Sequence, residues 1–544
     1  SSMRAGFEQP VASHGTGSRH LGTLCVERFA SESTARSLPP ALGLCAAGQS
    51  VATTGVPGCR STQRRACRRG GDASKLRPHD VASAAWTLAR LRATGCSERL
   101  ASLARAAVLG IAGFGPLEIS KLAWSFSKTG AGDAELYGAI VGRAIALRGR
   151  LTPWDISGLA WALGKAEAHA AGMAIARVLV AEAARKTRDF GCQDVSNLVW
   201  GFGALALKGE AGALLHAIEA AVATPRAFEA QHLCNMAWAF ARLGSDGSSW
   251  PFMRLLAGEA LRRLDEMTSQ GLSNLAWAFA TLRAGSGGPR LIVAVARLAA
   301  ASLRSDPHAF RPQELANLAW SVATAGDGPE ERLLLRFVGR AARWRLRDFR
   351  PQEFCNLAWA FAKLLVEDVA FIGALPAAAL SMSDFKPQEV CNLCWAFARL
   401  HAAVGKGDEH LAGADALAAA ARRALSSQAF AARDFASFAW AMATLEVADQ
   451  PDIFREIACG ARVSLHEATP QDLSNLAWAF ATLCIADKGL QLMLARRAAA
   501  SADLFKPQEL SNLSWALASL GVRDVKLFRR LACFACQGLE RFSP

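Results

Sequence analysis

The chain has 544 residues, 52% of them hydrophobic, and Lys plus Arg exceed Asp plus Glu by 61 − 47 = 14. No apolar run reaches the roughly 18–20 residues that a membrane-spanning helix needs, and the longest candidate, 291–303, is interrupted by Arg297. Ala, Leu and Arg dominate while Tyr occurs once, so the composition favours helix, and the positive balance suits an anionic partner such as nucleic acid.

Residues 1–72 differ in kind from the rest, with nine Arg, no Lys and four acids (Glu8, Glu27, Glu32 and Asp72). Arg-rich, Ser-rich and acid-poor text is the signature of an organellar transit peptide. The expectation is a disordered targeting segment that leads to the mitochondrial matrix or the plastid stroma; a disordered basic tail is the alternative.

From residue 73 to residue 544 one pattern recurs. Anchored on its Trp, it appears twelve times, at Trp86, Trp124, Trp161, Trp200, Trp238, Trp277, Trp320, Trp359, Trp395, Trp440, Trp478 and Trp515. The intervals run from 36 to 45 residues and average 39. The two long ones hold "RAGSGGPR" (283–290) and "AVGKGDEHLAGAD" (403–415), which read as loop insertions. Trp154, Trp250 and Trp344 fall outside the register. A period of this length without strand-like text predicts an all-α fold: a right-handed αα-solenoid superhelix of about twelve two-helix repeats, here termed helix A and helix B.

The start of helix A is written clearly. In "DFKPQEV" Pro387 stands at the first helical position, where a missing N–H costs nothing. Glu389 follows at the third position, facing the positive helix end, and ten of the twelve copies have Asp or Glu there. Phe310, Phe349, Phe385 and Phe505 precede the cap, and Leu315, Phe354, Val390 and Leu510 occupy the fourth helical position. Together these form hydrophobic staples. At 100° per residue, Leu473, Leu476, Phe480 and Leu483 share one face of the copy at Pro470, while Gln471, Asn475, Trp478 and Thr482 share another.

That second stripe is what a plain surface helix would not need. Eight copies pair a Gln seven residues before the Trp with an Asn three before it: Gln193/Asn197, Gln231/Asn235, Gln270/Asn274, Gln313/Asn317, Gln352/Asn356, Gln388/Asn392, Gln471/Asn475 and Gln508/Asn512. One reading is structural, with Trp wedged between successive A helices and the amides forming a ladder along the stack. The sharper reading uses the register that varies, four residues after the Trp. There the chain places Arg90, Lys128, Lys165, Ala204, Arg242, Thr281, Thr324, Lys363, Arg399, Thr444, Thr482 and Ser519. The six cations either face the negative end of helix A or line a groove. With helices about 8–10 Å apart, twelve repeats would make a groove about 100 Å long. Single-stranded RNA would fit it, with phosphates on Lys and Arg and bases on amides and hydroxyls.

Other chemistry is thinly represented. Cys391/Cys394 and Cys533/Cys536 are two CxxC pairs about 140 residues apart in helical text. A zinc site wants such pairs close together, so small-residue packing is the expectation, with free thiols in a reducing compartment and neither metal nor cofactor. Phosphate-loop, dinucleotide-fold and zinc-protease motifs are not found, and His401 and His410 fall in an expected loop insertion. No nucleophile, base and orienting group assemble, so the expectation is a protein that is not an enzyme.

The repeated "PQELxNLAWAFAxL" frame resembles the octotricopeptide-type repeats of organellar RNA-binding proteins and the helical repeats of FAST-kinase-like and RAP-domain proteins. It resembles most nearly the helical-repeat subunit of the RNA-editing substrate-binding complex. The resemblance covers residues 73–544 and implies RNA binding in organellar processing, stability, editing or translation, without intrinsic catalysis. It departs from the RAP-bearing members, since the text after Trp515 has room for one more helix and no nuclease-like RAP domain is expected. The implied partner is single-stranded mRNA or rRNA, alongside other ribonucleoprotein subunits. An armadillo- or HEAT-like protein scaffold and an architectural subunit of an organellar ribonucleoprotein are the alternatives.

Overall fold

The computed structural model describes residues 76–537, apart from 92–95, most of 210–227, 245–249, 283–286, 383–384, most of 405–429 and 447–450. The Arg-rich segment 1–72, the insertion residues 405–415 and His410 lie outside the described residues. All 22 α-helices described belong to the repeat, and no strand occurs among the described residues. The chain divides into two compact units, Ser1–Leu291 and Ile292–Pro544.

In the first unit the A helices are Pro78–Leu91, Pro116–Thr129, Pro153–Lys165, Cys192–Ala204, Ala230–Leu243 and Ser269–Thr281. In the second they are Pro312–Ala325, Pro351–Leu364, Pro387–Val404, Ala432–Thr444, Pro470–Thr482 and Pro507–Ser519. Within each unit successive A helices pack side by side. The described B helices, such as Ala134–Ala146, His169–Arg185, Pro329–Ala342 and Lys488–Ala500, form the second layer. Two insertion readings need correction. Gly288 already opens the B helix Gly288–Ser305, and His401 lies inside the A helix Pro387–Val404.

The helix starts follow from their caps. Thr469 Oγ1 accepts the Asp472 N–H at 3.3 Å, and Asp472 accepts the Thr469 N–H at 2.9 Å. Where the cap residue is Arg311, Arg350, Lys386 or Lys506 the acid still accepts its backbone N–H at 2.9 Å. The two copies without an acid keep a cap by other means. His232 Nδ1 accepts from Glu229 N at 3.2 Å, and Thr268 Oγ1 accepts from Gly271 N at 3.1 Å. The staple residues Phe310, Phe349 and Phe385 are buried, as are Leu315, Phe354 and Val390.

The helix ends share a device that composition does not announce. Six residues after the Trp the backbone turns left-handed at Gly130, Gly244 and Gly521, and equally at Glu167, Ala206, Leu365, Glu446 and Cys484. The next N–H then returns to the carbonyl two residues after the Trp, as in Leu207 to Phe202 (3.2 Å), Val366 to Phe361 (3.1 Å) and Ile485 to Phe480 (2.9 Å). This is a Schellman closure. It explains the apolar residue in that register, since Leu207 and Val366 are buried.

Beneath the caps, the residue two after the Trp points at helix B. Phe361 meets Phe371 with ring centroids 4.3 Å apart and the rings tilted, and Phe240 stacks on Phe252 at 5.4 Å. Between A helices the chain uses very small residues. A Cβ added to Gly201 would lie 2.3 Å from Ala160 O, and one on Gly203 would lie 2.9 Å from Ala239 Cα. The ten cysteines described are free. Cys391 and Cys394 are buried, and burial pushes the Cys394 thiol up to about 12. Cys533 and Cys536 are exposed on the helix Val525–Gln537.

Two substitutions in one copy separate these effects. Gly201→Ala forces backbone apart and should cost about 1–3 kcal/mol. Ala206→Gly relieves a left-handed Ala at an exposed position and should add about 0.5–1 kcal/mol after the entropy of the unfolded Gly is counted. Urea denaturation checks both; a tolerated Gly201→Ala would contradict the close approach.

The desolvated N3 acids give a pH signature. Desolvation raises Glu314, Glu353, Glu389, Asp434 and Asp472 above their ordinary values, and the hydrogen bonds to their caps oppose the rise. A raised folded-state carboxyl binds more protons than the unfolded one. Its contribution is therefore full below the ordinary carboxyl value and lost as pH rises through the folded value. Asp472→Asn should flatten that part of the stability curve measured between pH 4 and 7, and an unaltered curve would show the acid to be solvated.

Candidate nucleic-acid interface

Trp161, Trp200, Trp238, Trp277, Trp320 and Trp359 are only 3–6% exposed. Within the first unit the indoles follow one another, Trp161 to Trp200 at 6.2 Å and Trp200 to Trp238 at 6.0 Å between centroids. Within each unit, Trp161, Trp200, Trp238, Trp320 and Trp359 lie on A helices that pack against that of the next repeat. Trp515, on the last A helix described, is 49% exposed. The Trp register is therefore a wedge between repeats.

The amides divide by copy. Gln193 Nε2 donates to Asn197 Oδ1 at 2.9 Å, and Gln231 Nε2 to Asn235 Oδ1 at 2.9 Å. The His232 ring meets Gln193 Oε1 at 2.9 Å, and Asn235 Nδ2 donates to Ser196 Oγ at 3.4 Å. Burial lowers the pKa of His232, which favours its neutral form in this network. The bonds of His232 and Asn235 run between repeats, while the two Gln–Asn bonds lie within one helix, and together they make a ladder. Asn197 and Asn392 are buried, whereas Gln193, Gln231, Asn235, Gln313, Asn317, Gln352, Asn356, Gln388, Gln471, Asn475 and Asn512 are half-buried and Gln508 is exposed.

The small residue four before the Trp extends the same contact. Ser120 Oγ donates to Asp155 Oδ1 at 2.9 Å and Ser157 Oγ to Asp194 Oδ1 at 3.0 Å, each reaching the N3 acid of the next repeat. Cys391 Sγ meets Asp434 O at 3.2 Å in the corresponding place.

Four residues after the Trp, Arg90 and Lys128 are exposed, Lys165, Lys363 and Arg399 are half-buried, and Arg242 is buried. Arg90 and Lys363 lie 4.7 Å from the ring centroids of Trp86 and Trp359, Arg399 lies 5.6 Å from that of Trp395, and Arg242 5.7 Å from that of Trp238. Arg399 Nε also donates to Ala362 O at 2.9 Å, and Arg242 Nε to Gly203 O at 3.4 Å. Both carbonyls belong to the last turn of the preceding A helix, so these arginines cap a neighbour's negative end. Burial lowers the pKa of both. Thr281 and Thr444 donate instead to the carbonyls of Trp277 and Trp440, at 2.8 and 2.9 Å.

A second cationic surface lies on the B layer of the second unit, outside the repeat register. Arg336 and Arg340 are exposed on the helix Pro329–Ala342, and just beyond its end Arg343 stacks 4.8 Å from the Trp344 ring centroid. Trp344 is 82% exposed. The i, i+4 Arg spacing was the available signal, and the irregular text of helix B obscured it.

Arg399→Met keeps an apolar stem but removes the carbonyl bond and the contact with Trp395. It should cost about 1–2 kcal/mol by urea denaturation, against less than about 0.5 kcal/mol for Lys128→Met. Equal effects would show that Arg399 does not join the repeats.

Comparison with solved structures gives remote likenesses. A homology model of the AP-3 complex in an intermediate open conformation aligns over 87% of this chain and 87% of its own, with 11% identity and a TM-score of 0.28. A pentatricopeptide repeat protein in complex with an 18-nucleotide psaJ RNA element aligns over 85% of this chain and 76% of its own, with 13% identity and a TM-score of 0.20. No curated protein matches the sequence. Residues 260–526, which hold seven of the twelve A helices, match the family model of RNA-editing substrate-binding complex 6 protein, and over that stretch the chain is similar to this family.

Proposed function

We propose that this protein binds single-stranded RNA along its A-helix layer and acts in organellar RNA processing, editing, stability or translation. The match of residues 260–526 to the RNA-editing substrate-binding complex 6 family carries the reading. Its geometry is a register of side chains repeated on successive A helices, with Gln and Asn amides beside cations or hydroxyls. In the first unit phosphates would sit on exposed cations such as Arg90 and Lys128, and in the second unit, taken by itself, bases would meet the half-buried amides of Gln352, Asn356, Gln471 and Asn475. The protein would hold RNA and present it, other subunits supplying chemistry. The Arg-rich residues 1–72 would direct it to the mitochondrial matrix or the plastid stroma.

A scaffold within an organellar ribonucleoprotein is the second reading. It is favoured by the bonds that pair Gln193 with Asn197 and Gln231 with Asn235, and by those from His232 and Asn235 to Gln193 and Ser196 of the preceding repeat.

The test is equilibrium binding of the full chain to a 20-nucleotide single-stranded RNA across a salt series. Replacing Arg90, Lys128 and Lys165 together by Gln should weaken binding about ten-fold or more and lower the slope of log K against log salt by about 2, at about 0.7 per lost phosphate contact. An unchanged slope would remove these cations from the interface, and a wild-type chain that ignores RNA would favour the scaffold.

A further inference from the structure

The B layer of the second unit carries an aromatic and cationic surface that the repeat does not require. Leu333, Arg336 and Arg340 follow one another at intervals of three and four residues on the helix Pro329–Ala342, so at 100° per residue they fall within about 60° of one another, and Trp344 follows in the turn just beyond the helix end. All four are exposed. Arg343 stacks on the Trp344 ring, and Arg347 stands exposed in the following turn. On the neighbouring B helix Arg304 lines a shallow groove that it shares with Leu333 and Phe337.

Two of the acids nearby are already engaged. Glu330 pairs with Arg297 at 2.5 Å and Asp327 with Arg332 at 2.7 Å, while Glu331 is buried. Asp306 and Asp348 are the remaining exposed acids beside this stretch, and both act on Arg345. Arg304, Arg336, Arg340 and Arg347 have no ion-pair partner among the described residues. A stripe of unpaired guanidinium groups running into an 82% exposed indole has the composition of a single-strand platform, with cations tracking the backbone and an aromatic ring taking a base. Arg343 on the ring adds to the attraction, since a guanidinium can stack on indole and base alike. An acidic protein segment would satisfy the arginines but leaves the exposed indole unexplained.

We propose that Trp344, with Arg336, Arg340, Arg343 and Arg347, forms a second contact for single-stranded RNA on the B layer, Trp344 stacking on one base and the arginines holding the flanking phosphates. This rests on the RNA-binding reading above. The strand would be gripped on a surface apart from the A-helix stripe.

The probe is a fluorescein-labelled 20-nucleotide polyuridine RNA, titrated with the full chain by anisotropy at several salt concentrations. Trp344→Ala should weaken binding about ten-fold with the salt slope unchanged, and Trp344→Phe should restore most of the loss. Arg336→Gln with Arg340→Gln should weaken binding and lower the slope by about 1.4, two contacts at about 0.7 each. These side chains are exposed, and an unchanged melting temperature confirms that each variant is folded. If the wild type binds RNA and all these variants match it, the B-layer contact is overturned, the patch passes to a protein partner, and the RNA-binding reading stands. If the wild type does not bind, both readings fall.

Discussion

The closeness of successive A helices is the constraint from which the other features of each stack follow. At Gly201 and Gly203 one helix lies almost backbone to backbone with its neighbours, leaving no room for a methyl group. Beside that seam stands the largest side chain, the Trp, which fills the space where the helices diverge. Small and large residues in fixed registers interlock at close-packed density. Because the indole of one repeat is buried by the next, its stabilisation belongs to the pair and not to either repeat alone. The 49% exposure of Trp515, against 3–6% for Trp161, Trp200, Trp238, Trp320 and Trp359 inside the stacks, is that dependence seen at one residue.

Close approach creates a polar problem that the caps solve. Bringing helix starts together buries the N3 acids, and desolvation raises the carboxyls of Glu389, Asp434 and Asp472. A buried carboxylate is tolerable only when bonded. The cap N–H supplies one bond, and in two interfaces a Ser hydroxyl from the preceding repeat supplies another. The acid therefore starts its own helix and positions the previous one. Ser, Ala or Cys four residues before the Trp follows from this, since anything larger would hold the helix starts apart.

The parts of this design governed by local rules were legible in the sequence. Pro387, Glu389 and Phe385 announce a helix start whatever surrounds them, and the recurring Trp fixes the period. The left-handed helix end was not legible, because five of its eight instances among the described residues are filled by residues that give no hint of it, among them Leu365 and Glu446. Tertiary closure imposes that conformation, and the returning N–H, with the apolar residue beneath it, offsets the strain. The bonds of Arg242 and Arg399 to Gly203 and Ala362 were hidden for a related reason. They join residues 39 and 37 positions apart, and helix-wheel arithmetic sees only one helix. Trp344 was visible only as a residue out of register, since its exposure depends on which face of helix B the stack leaves uncovered.

The varying register four residues after the Trp is the clearest case of one position serving several masters. Where it is Thr281 or Thr444, the hydroxyl bonds within its own helix. As Arg242 or Arg399 it reaches the neighbour's last turn, and as Lys363 it lies over its own Trp. Variation there thus follows the structural partner available in each copy, so a change from Thr to Arg is not by itself a change of the base being read. A cation bonded to a carbonyl and desolvated between helices has less to offer a phosphate than one held in solvent. Charge available for RNA is consequently set by exposure and pairing more than by register. That singles out Arg90 and Lys128 on the A layer, and on the B layer the unpaired arginines that lead to Trp344.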